Sequence, residues 1–124
     1  MSLSIEVSTC DEHAKMLCKT ALYARLFVNG WALNKIMHTI LRGGRRGSVV
    51  ALAWLEETPI GVSISTTNGV LQVFVRKKYR RQGIGSKLVN AVKREKDVAD
   101  EGIKGSGAFW DSVGVEYVPY WEDE

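Results

Sequence analysis

The residues best placed to do chemistry lie between Val73 and Val89, in the string VFVRKKYRRQGIGSKLV. A short β-branched run leads into a basic turn, and Arg80-x-x-Gly83-x-Gly85 then opens a stretch of helical apolar period. A strand that passes through glycines into a helix N-terminus builds an anion site. Glycine lets the backbone approach a ligand and leaves N–H groups free to point at phosphate oxygens. The helix dipole adds about 0.3–1 kcal/mol toward a negative ligand, up to about 2 when the site is partly buried. Lys77, Lys78, Arg80 and Arg81 strengthen the positive field at that end.

The two common nucleotide motifs do not fit. A dinucleotide-binding G-x-G-x-x-G needs a third glycine and an acid about 20 residues on; only Gly83 and Gly85 have the spacing, and Lys87 and Leu88 fill the remainder. A P-loop, G-x-x-x-x-G-K-[ST], fails on both gap and order. The segment instead resembles motif A of the GNAT N-acetyltransferase superfamily, [RQ]-x-x-G-x-[GA] after a strand of the type L-x-V-x-P-x-x-R. Lys77 takes the place of the usual proline. A second resemblance lies downstream, where Phe109-Trp110-Asp111-Ser112-Val113-Gly114-Val115 follows the family's F-Y-x-x-x-G-F, with Trp110 in place of the Tyr that acts as general acid and Val115 in place of Phe. An indole offers only an N–H donor and cannot exchange a proton as a phenol does.

The resemblance implies an acyl-CoA N-acyltransferase fold and acetyl-CoA (coenzyme A) as cofactor, with transfer of an acetyl group to a primary amine. It further implies that Arg80 belongs to the cofactor loop and that the backbone N–H groups of Arg81, Gln82, Gly83, Ile84, Gly85 and Ser86 hold the pyrophosphate. Val73 and Val75 then pair with the pantetheine as a pseudo-strand. A side chain at Gly85 is expected to fall where the pyrophosphate belongs. The catalytic side chains are less well marked. No acid lies within residues 70–75, where Gln72 is polar but does not titrate. Glu56 and Glu57 read as a solvated hairpin tip. Ser106 and Tyr117 are the candidate catalytic residues, with Ser112 and Tyr120 as further polar groups nearby in sequence. Proximity and a preorganised oxyanion site supply much of the rate in such a reaction.

At 124 residues, with 45% hydrophobic and 25% charged residues, one soluble domain spanning 1–124 is expected, not a disordered chain. No run approaches the ~18 apolar residues of a membrane span, and no secretory leader is visible at the N-terminus. Cys10 and Cys18 stand about 12 Å apart on a helix, beyond disulfide reach, so reduced thiols in a cytoplasmic protein are expected. His13 and His38 lack a second ligand at helical spacing and read as surface residues, with no metal site.

The elements that must carry the loop follow from apolar period. Residues 3–7 alternate as a strand. Thr9 and Glu12 have capping-box spacing ahead of a helix whose stripe is Ala14, Leu17, Cys18, Ala21 and Leu22. Asn29 is positioned to cap a second helix, with Leu33, Ile36, Met37, Ile40 and Leu41 on one face and Gly43-Gly44 at its end. Strands are expected over 48–55, 60–66 and 70–75, the last two joined through Asn68-Gly69. After the helix from about Gly83, a strand over 103–106, a helix over 108–113 and a last strand over 116–120 complete the order β-α-α-β-β-β-α-β-α-β. This is an α+β chain with a central, mostly antiparallel sheet flanked by helices, and it matches the GNAT order.

The partners so implied are an acyl-CoA cosubstrate and an amine acceptor: a protein lysine, a protein N-terminus or a small amine. No membrane partner is expected, and homodimerisation stays open. The rival reading is a nucleic-acid-binding module, because residues 76–81 form a basic cluster and Arg42, Arg45 and Arg46 a second. Nucleic acid and aminoacyl-tRNA are the less favoured partners, since the phosphates of coenzyme A already account for the first cluster. A GNAT fold that binds coenzyme A without catalysis is the third reading.

Overall fold

In the computed structural model, residues 2–28, 32–94, 97–100 and 107–118 are described. The β-branched runs pair in chain order. Strands β1 (Leu3–Ser8), β2 (Val49–Leu55), β3 (Thr58–Ser65), β4 (Val70–Val75), β5 (Val98–Asp100) and β6 (Glu116–Val118) form one six-stranded sheet, β1-β2-β3-β4-β5-β6. The first three junctions are antiparallel and the last two parallel. Asn68-Gly69 makes the expected β3–β4 turn, with Gly69 at φ +86° and the Thr66 N–H donating to the Val70 carbonyl at 2.9 Å. The β2–β3 turn is tighter than the sequence suggests. Glu56, at φ +56°, and Glu57 suffice for it, while Thr58 and Pro59 already belong to β3. The register steps from Ala53–Gly61 to Trp54–Pro59 and leaves Ile60 out of the β2 pairing, a bulge of the kind that accommodates a proline with no N–H to give.

Alternation along the strands divides the core in two. Val50, Leu52, Val62 and Ile64 face α1 (Asp11–Tyr23) and α2 (Ala32–Leu41), which bury Ala14, Leu17, Cys18, Ala21, Leu33, Ile36, Met37 and Ile40 against them. Ala51, Ala53, Ile60, Leu71 and Val75 face α3 (Ile84–Val92) and α4 (Gly107–Ser112) on the other side. The expected stripes are therefore the buried ones.

Several local expectations are corrected. Thr9 does not cap α1. Cys10 holds the N-cap position without a side-chain bond, and its N–H donates at 3.3 Å to the Ser8 hydroxyl instead. Asn29 lies outside the described residues. The end of α2 is as expected: Gly43 sits at φ +88°, with the Gly43 N–H on the Ile40 carbonyl and the Gly44 N–H on the Thr39 carbonyl, both at 2.9 Å. The end of α1 uses the same paired bonds with Arg25, at φ +56°, where glycine is preferred. The fifth strand is Val98–Asp100, whereas the expected 103–106 segment lies outside the described residues, as do residues 119 and 120 of the last strand. Three residues are too few for a period-2 pattern to declare itself. What fixes β5 is the buried Asp97, whose carboxylate accepts from the Ser65 hydroxyl at 2.8 Å and the Arg94 N–H at 2.7 Å.

Helix α3 lies close to the sheet because the strand residues beneath it are small. Ala51, Ala53, Gly61 and Ser63 are fully buried or glycine on that face. The Ser63 hydroxyl donates to the Leu88 carbonyl at 2.8 Å. A Cβ at Gly61 would stand 2.8 Å from Leu88 Cδ1 and 3.0 Å from the Phe74 carbonyl oxygen. Gly61→Ala is therefore expected to cost about 1–3 kcal/mol by overpacking, read as a lower urea midpoint at unchanged m-value. An unchanged midpoint would show that α3 is not so tightly seated.

Candidate functional site

Strand β4 carries the first half of the site. The Arg76 N–H donates to the Ile60 carbonyl at 2.9 Å, and the Val70 carbonyl accepts from Thr66 at 2.9 Å. Even-numbered residues of β4 thus turn their backbone groups toward β3. Strand alternation turns those of Leu71, Val73 and Val75 the other way, toward β5. There, Val70 pairs with Val98 and Leu71 with Ala99, and among the described residues the ladder goes no further. Strand β4 continues to Val75. Val73 and Val75 therefore turn their backbone groups to the β5 side of β4, beyond the described part of the ladder. The Val75 carbonyl is occupied by Arg80 Nε at 2.8 Å.

The loop after β4 carries the second half. Arg76 ties the strand end to its surroundings, donating to the Ala24 carbonyl at 2.7 Å and the Pro59 carbonyl at 3.3 Å. One 3-10 turn, Lys77–Tyr79, follows. Arg80 folds back over the Phe74 ring, 5.4 Å from its centroid, while its Nε holds the strand end. Arg81 and Gly83 both adopt left-handed backbone, at φ +64° and +80°. The first helical bond of α3 runs from Lys87 N–H to the Gly83 carbonyl at 3.2 Å. Ahead of it, the N–H groups of Ile84, Gly85 and Ser86 have no acceptor within the helix. These N–H groups meet the outer end of β4 at one place, in a loop lined by exposed cations: the geometry of an anion cradle beside a strand end.

The two glycines differ from expectation and from each other. A Cβ at Gly83 would meet nothing within 4 Å, so its requirement is purely conformational. A Cβ at Gly85 would meet Phe109 Cε1 at 3.1 Å and Cζ at 3.3 Å, with Val75 Cγ2 at 3.8 Å. A side chain there points at α4 and not into the anion cradle, which corrects the expectation for Gly85. Gly83→Ala is expected to lose about 1–2 kcal/mol of stability through left-handed strain. Gly85→Ala is expected to disturb α4 and to be relieved when combined with Phe109→Leu. Urea unfolding of the three variants checks this, and a Gly85→Ala that the second substitution leaves unimproved would refute the packing assignment.

The remaining candidates are placed as follows. The backbone of Tyr117 lies in β6, opposite Ala99, and Ser106 and Tyr120 lie outside the described residues. Ser112 spends its hydroxyl locally, donating to the Phe109 carbonyl at 2.6 Å. Trp110 is 4% exposed and packs edge-on to Phe109 with centroids 4.9 Å apart. Its Nε1 is buried without a hydrogen-bond partner among the described residues, so the indole that replaces the family's Tyr occupies the core. Gln72 is buried on the α1–α2 face, between Val70 and Phe74 in β4. Glu56 and Glu57 are exposed, as expected of a hairpin tip. His13 pairs with Glu6 at 2.8 Å, and Glu6 also accepts from Trp54 Nε1 at 3.1 Å. That trio ties α1 to β1, three strands and about 14 Å from β4 across the sheet. No metal-ligand cluster occurs among the described residues, and no described helix is long and apolar enough to cross a membrane. Asp97 was not singled out from the sequence, because an isolated carboxylate carries no pattern until its partners are seen.

Both cysteines are free. Burial pushes the Cys18 thiol up from 9.0 to about 12, which keeps it protonated and inert at neutral pH. A thiol reagent is expected to modify Cys10 alone in the folded protein and both cysteines after denaturation. Modification of both under native conditions would show that α1 opens readily.

The model of the acetyltransferase (GNAT) domain family matches residues 45–116. A search of curated proteins by sequence finds no match. Among solved structures, the aminoglycoside N-acetyltransferase AAC(6')-Iy, in complex with the bisubstrate analog CoA-S-monomethyl-acetylneamine, superposes with a TM-score of 0.62 at 17% identity, covering 100% of this chain and 99% of that one. Glucosamine-6-phosphate N-acetyltransferase from Arabidopsis thaliana gives 0.57 at 14% identity, covering 98% and 97%. The aminoglycoside antibiotic 6'-N-acetyltransferase AAC(6')-Ih from Acinetobacter baumannii gives 0.56 at 19% identity, covering 99% of each chain. At these identities the likeness is one of fold. The family match spans more than half of the chain, including all of β4, the loop after it and α3, and the chain belongs to the GNAT acetyltransferase family.

Proposed function

We propose that the protein is an N-acetyltransferase that moves an acetyl group from acetyl-CoA to a primary amine. The observation that carries this reading is the meeting of the α3 N-terminus with the outer end of β4. The residues present fit the cofactor of the family. The N–H groups from Arg81 to Ser86 suit a pyrophosphate, and the backbone of Val73 and Val75 suits an extended amide-bearing arm. When bound, acetyl-CoA supplies a thioester whose acetyl carbon the amine takes up as the thiol leaves.

The chain's own residues divide the remaining tasks. Arg80 ties the loop to the end of β4 through the Val75 carbonyl, and Arg76 anchors that strand end to Ala24 and Pro59, so the N–H groups are aimed before any ligand arrives. Preorganised donors of this kind stabilise developing charge without reorganisation. Proton movement is assigned to Tyr117 and Ser106, the two candidates from the C-terminal segment, because Trp110 is withdrawn into the core. The acceptor class is a primary amine on a small molecule or on a protein. The aminoglycoside and amino-sugar acceptors of the structural neighbours make the first panel to try.

Acetyl-CoA at 100 times its Kd is expected to stabilise the fold by about 2.7 kcal/mol, seen as an upward shift in Tm. An amine from the panel is then expected to release free thiol. Tyr117→Phe should lower kcat by about 100-fold or more if its phenol moves a proton, with the Tm shift retained. No shift with acetyl-CoA would sink the reading. A shift without thiol release from any amine would leave a coenzyme A-binding fold that has lost catalysis.

A further inference from the structure

Between Glu12 and Glu56 every charged side chain is a Lys or an Arg, with no Asp or Glu at all. This stretch builds the α1–α2 layer, on the face of the sheet away from α3. On α2, Leu33, Ile36, Met37 and Ile40 are buried, which leaves Lys35 and His38 exposed on the outer face. Arg42, also exposed, continues the same line at spacing i, i+3, i+7. Lys35 and Arg42 are thus about 10.5 Å apart along the helix. The Gly43-Gly44 turn then brings Arg45 and Arg46 onto the end of the ridge. Arg45 is held by Asn68 Oδ1 at 3.0 Å, and Arg94 Nη2 reaches the Gly47 carbonyl at 2.6 Å. Among the described residues, none of Lys35, Arg42 and Arg46 has a carboxylate within 4 Å; Asp11 and Glu12, at the start of α1, share a surface pocket with Arg46, and the Asp11 carboxylate is held by the Gly47 N–H at 2.9 Å.

This ridge is separate from the cofactor loop. It leads into the N-terminal end of β2, whereas residues 77–81 follow the C-terminal end of β4, at the opposite end of the sheet. The six residues of β4 set the Arg45–Arg46 end of the ridge roughly 20 Å from that loop. Coenzyme A on the α3 loop therefore leaves the ridge uncovered.

We propose that the α2 ridge is a docking surface for the phosphate backbone of a nucleic acid, bound independently of the cofactor. Unpaired cations in a row gain affinity from a polyanion by releasing its condensed counterions. A folded protein partner would demand an apolar centre with charge at the rim. The ridge has none: the exposed large hydrophobic residues are Val7, Met16, Tyr23 and Val98, all outside α2. The chemistry thus favours a regular polyanion over an acidic protein surface.

The test is fluorescence anisotropy of a labelled duplex DNA of about 20 base pairs, in saturating coenzyme A, across a salt series from about 50 mM. Binding is expected to persist with coenzyme A present. The variant Lys35→Ala/Arg42→Ala/Arg46→Ala should reduce the slope of log K against log salt by about 2.7, three contacts at about 0.9 each. Lys77→Ala/Lys78→Ala should leave that slope unchanged. The triple variant should also keep the acetyl-CoA Tm shift, which separates failure here from failure of the acetyltransferase reading. No anisotropy change at low salt, or a triple variant with the parental slope, would overturn the proposal. Labelled poly-glutamate binding as tightly as the duplex would overturn it in favour of an acidic polypeptide.

Discussion

The site depends on how closely helix α3 is seated on β3. A helix over a sheet normally rests on branched side chains, and its ends then lie a side chain's height above the strands. Here Gly61 and Ser63 take that place, with Ala51 and Ala53 on the next strand. The Ser63 hydroxyl binds the Leu88 carbonyl in the middle of the helix. The helix is lowered, and its first turn arrives beside Val75, whose Cγ2 is 3.8 Å from the position a Cβ would take on Gly85. Larger residues on this face would lift the N-terminus away from the strand edge. The cradle and the strand end would then no longer meet.

The junction of β4 with β5 needs a fixed end. The fixed end is Asp97. Its buried carboxylate joins the Ser65 hydroxyl on β3 to the Arg94 N–H just past α3, immediately before β5 begins. Such a group is costly to leave half-paired, since each lost partner exposes the full desolvation cost of the other. β5 is therefore held tightly where Val98 and Ala99 pair with Val70 and Leu71. At the other end, α4 closes against α3 through Phe109 on Gly85. The two strands are pinned at one end and propped by a helix contact at the other.

Long apolar periods made most of this legible in the sequence. The stripes of α1, α2 and α3, the three central strands and the Asn68-Gly69 turn all follow from residue spacing, and the cofactor loop follows from Arg80, Gly83 and Gly85 beside a strand. What escaped has a common cause. Asp97, Ser63 and Gly61 act through partners 25 to 32 residues away in the two hydrogen-bonded cases, and no local pattern announces such a contact. β5 is too short to show alternation. At Gly85 only the direction of a side chain differs from expectation, because a glycine's spacing tells that a side chain is excluded without telling what excludes it. Trp110 was recognised as a departure, but whether an indole lies at a cleft or in a core depends on packing alone.

The donor and acceptor halves of this fold make different demands on sequence. The donor half is built from backbone: a strand end, left-handed turn residues and the first N–H groups of a helix. Few side chains are fixed by it, so it survives wide divergence, and the fold remains superposable at a TM-score of 0.62 with 17% identity. The acceptor half must be built from side chains, since an amine is chosen by its neighbours and not by a strand edge. The backbone half can therefore be kept while the acceptor changes, which is why motif spacing is silent on the amine.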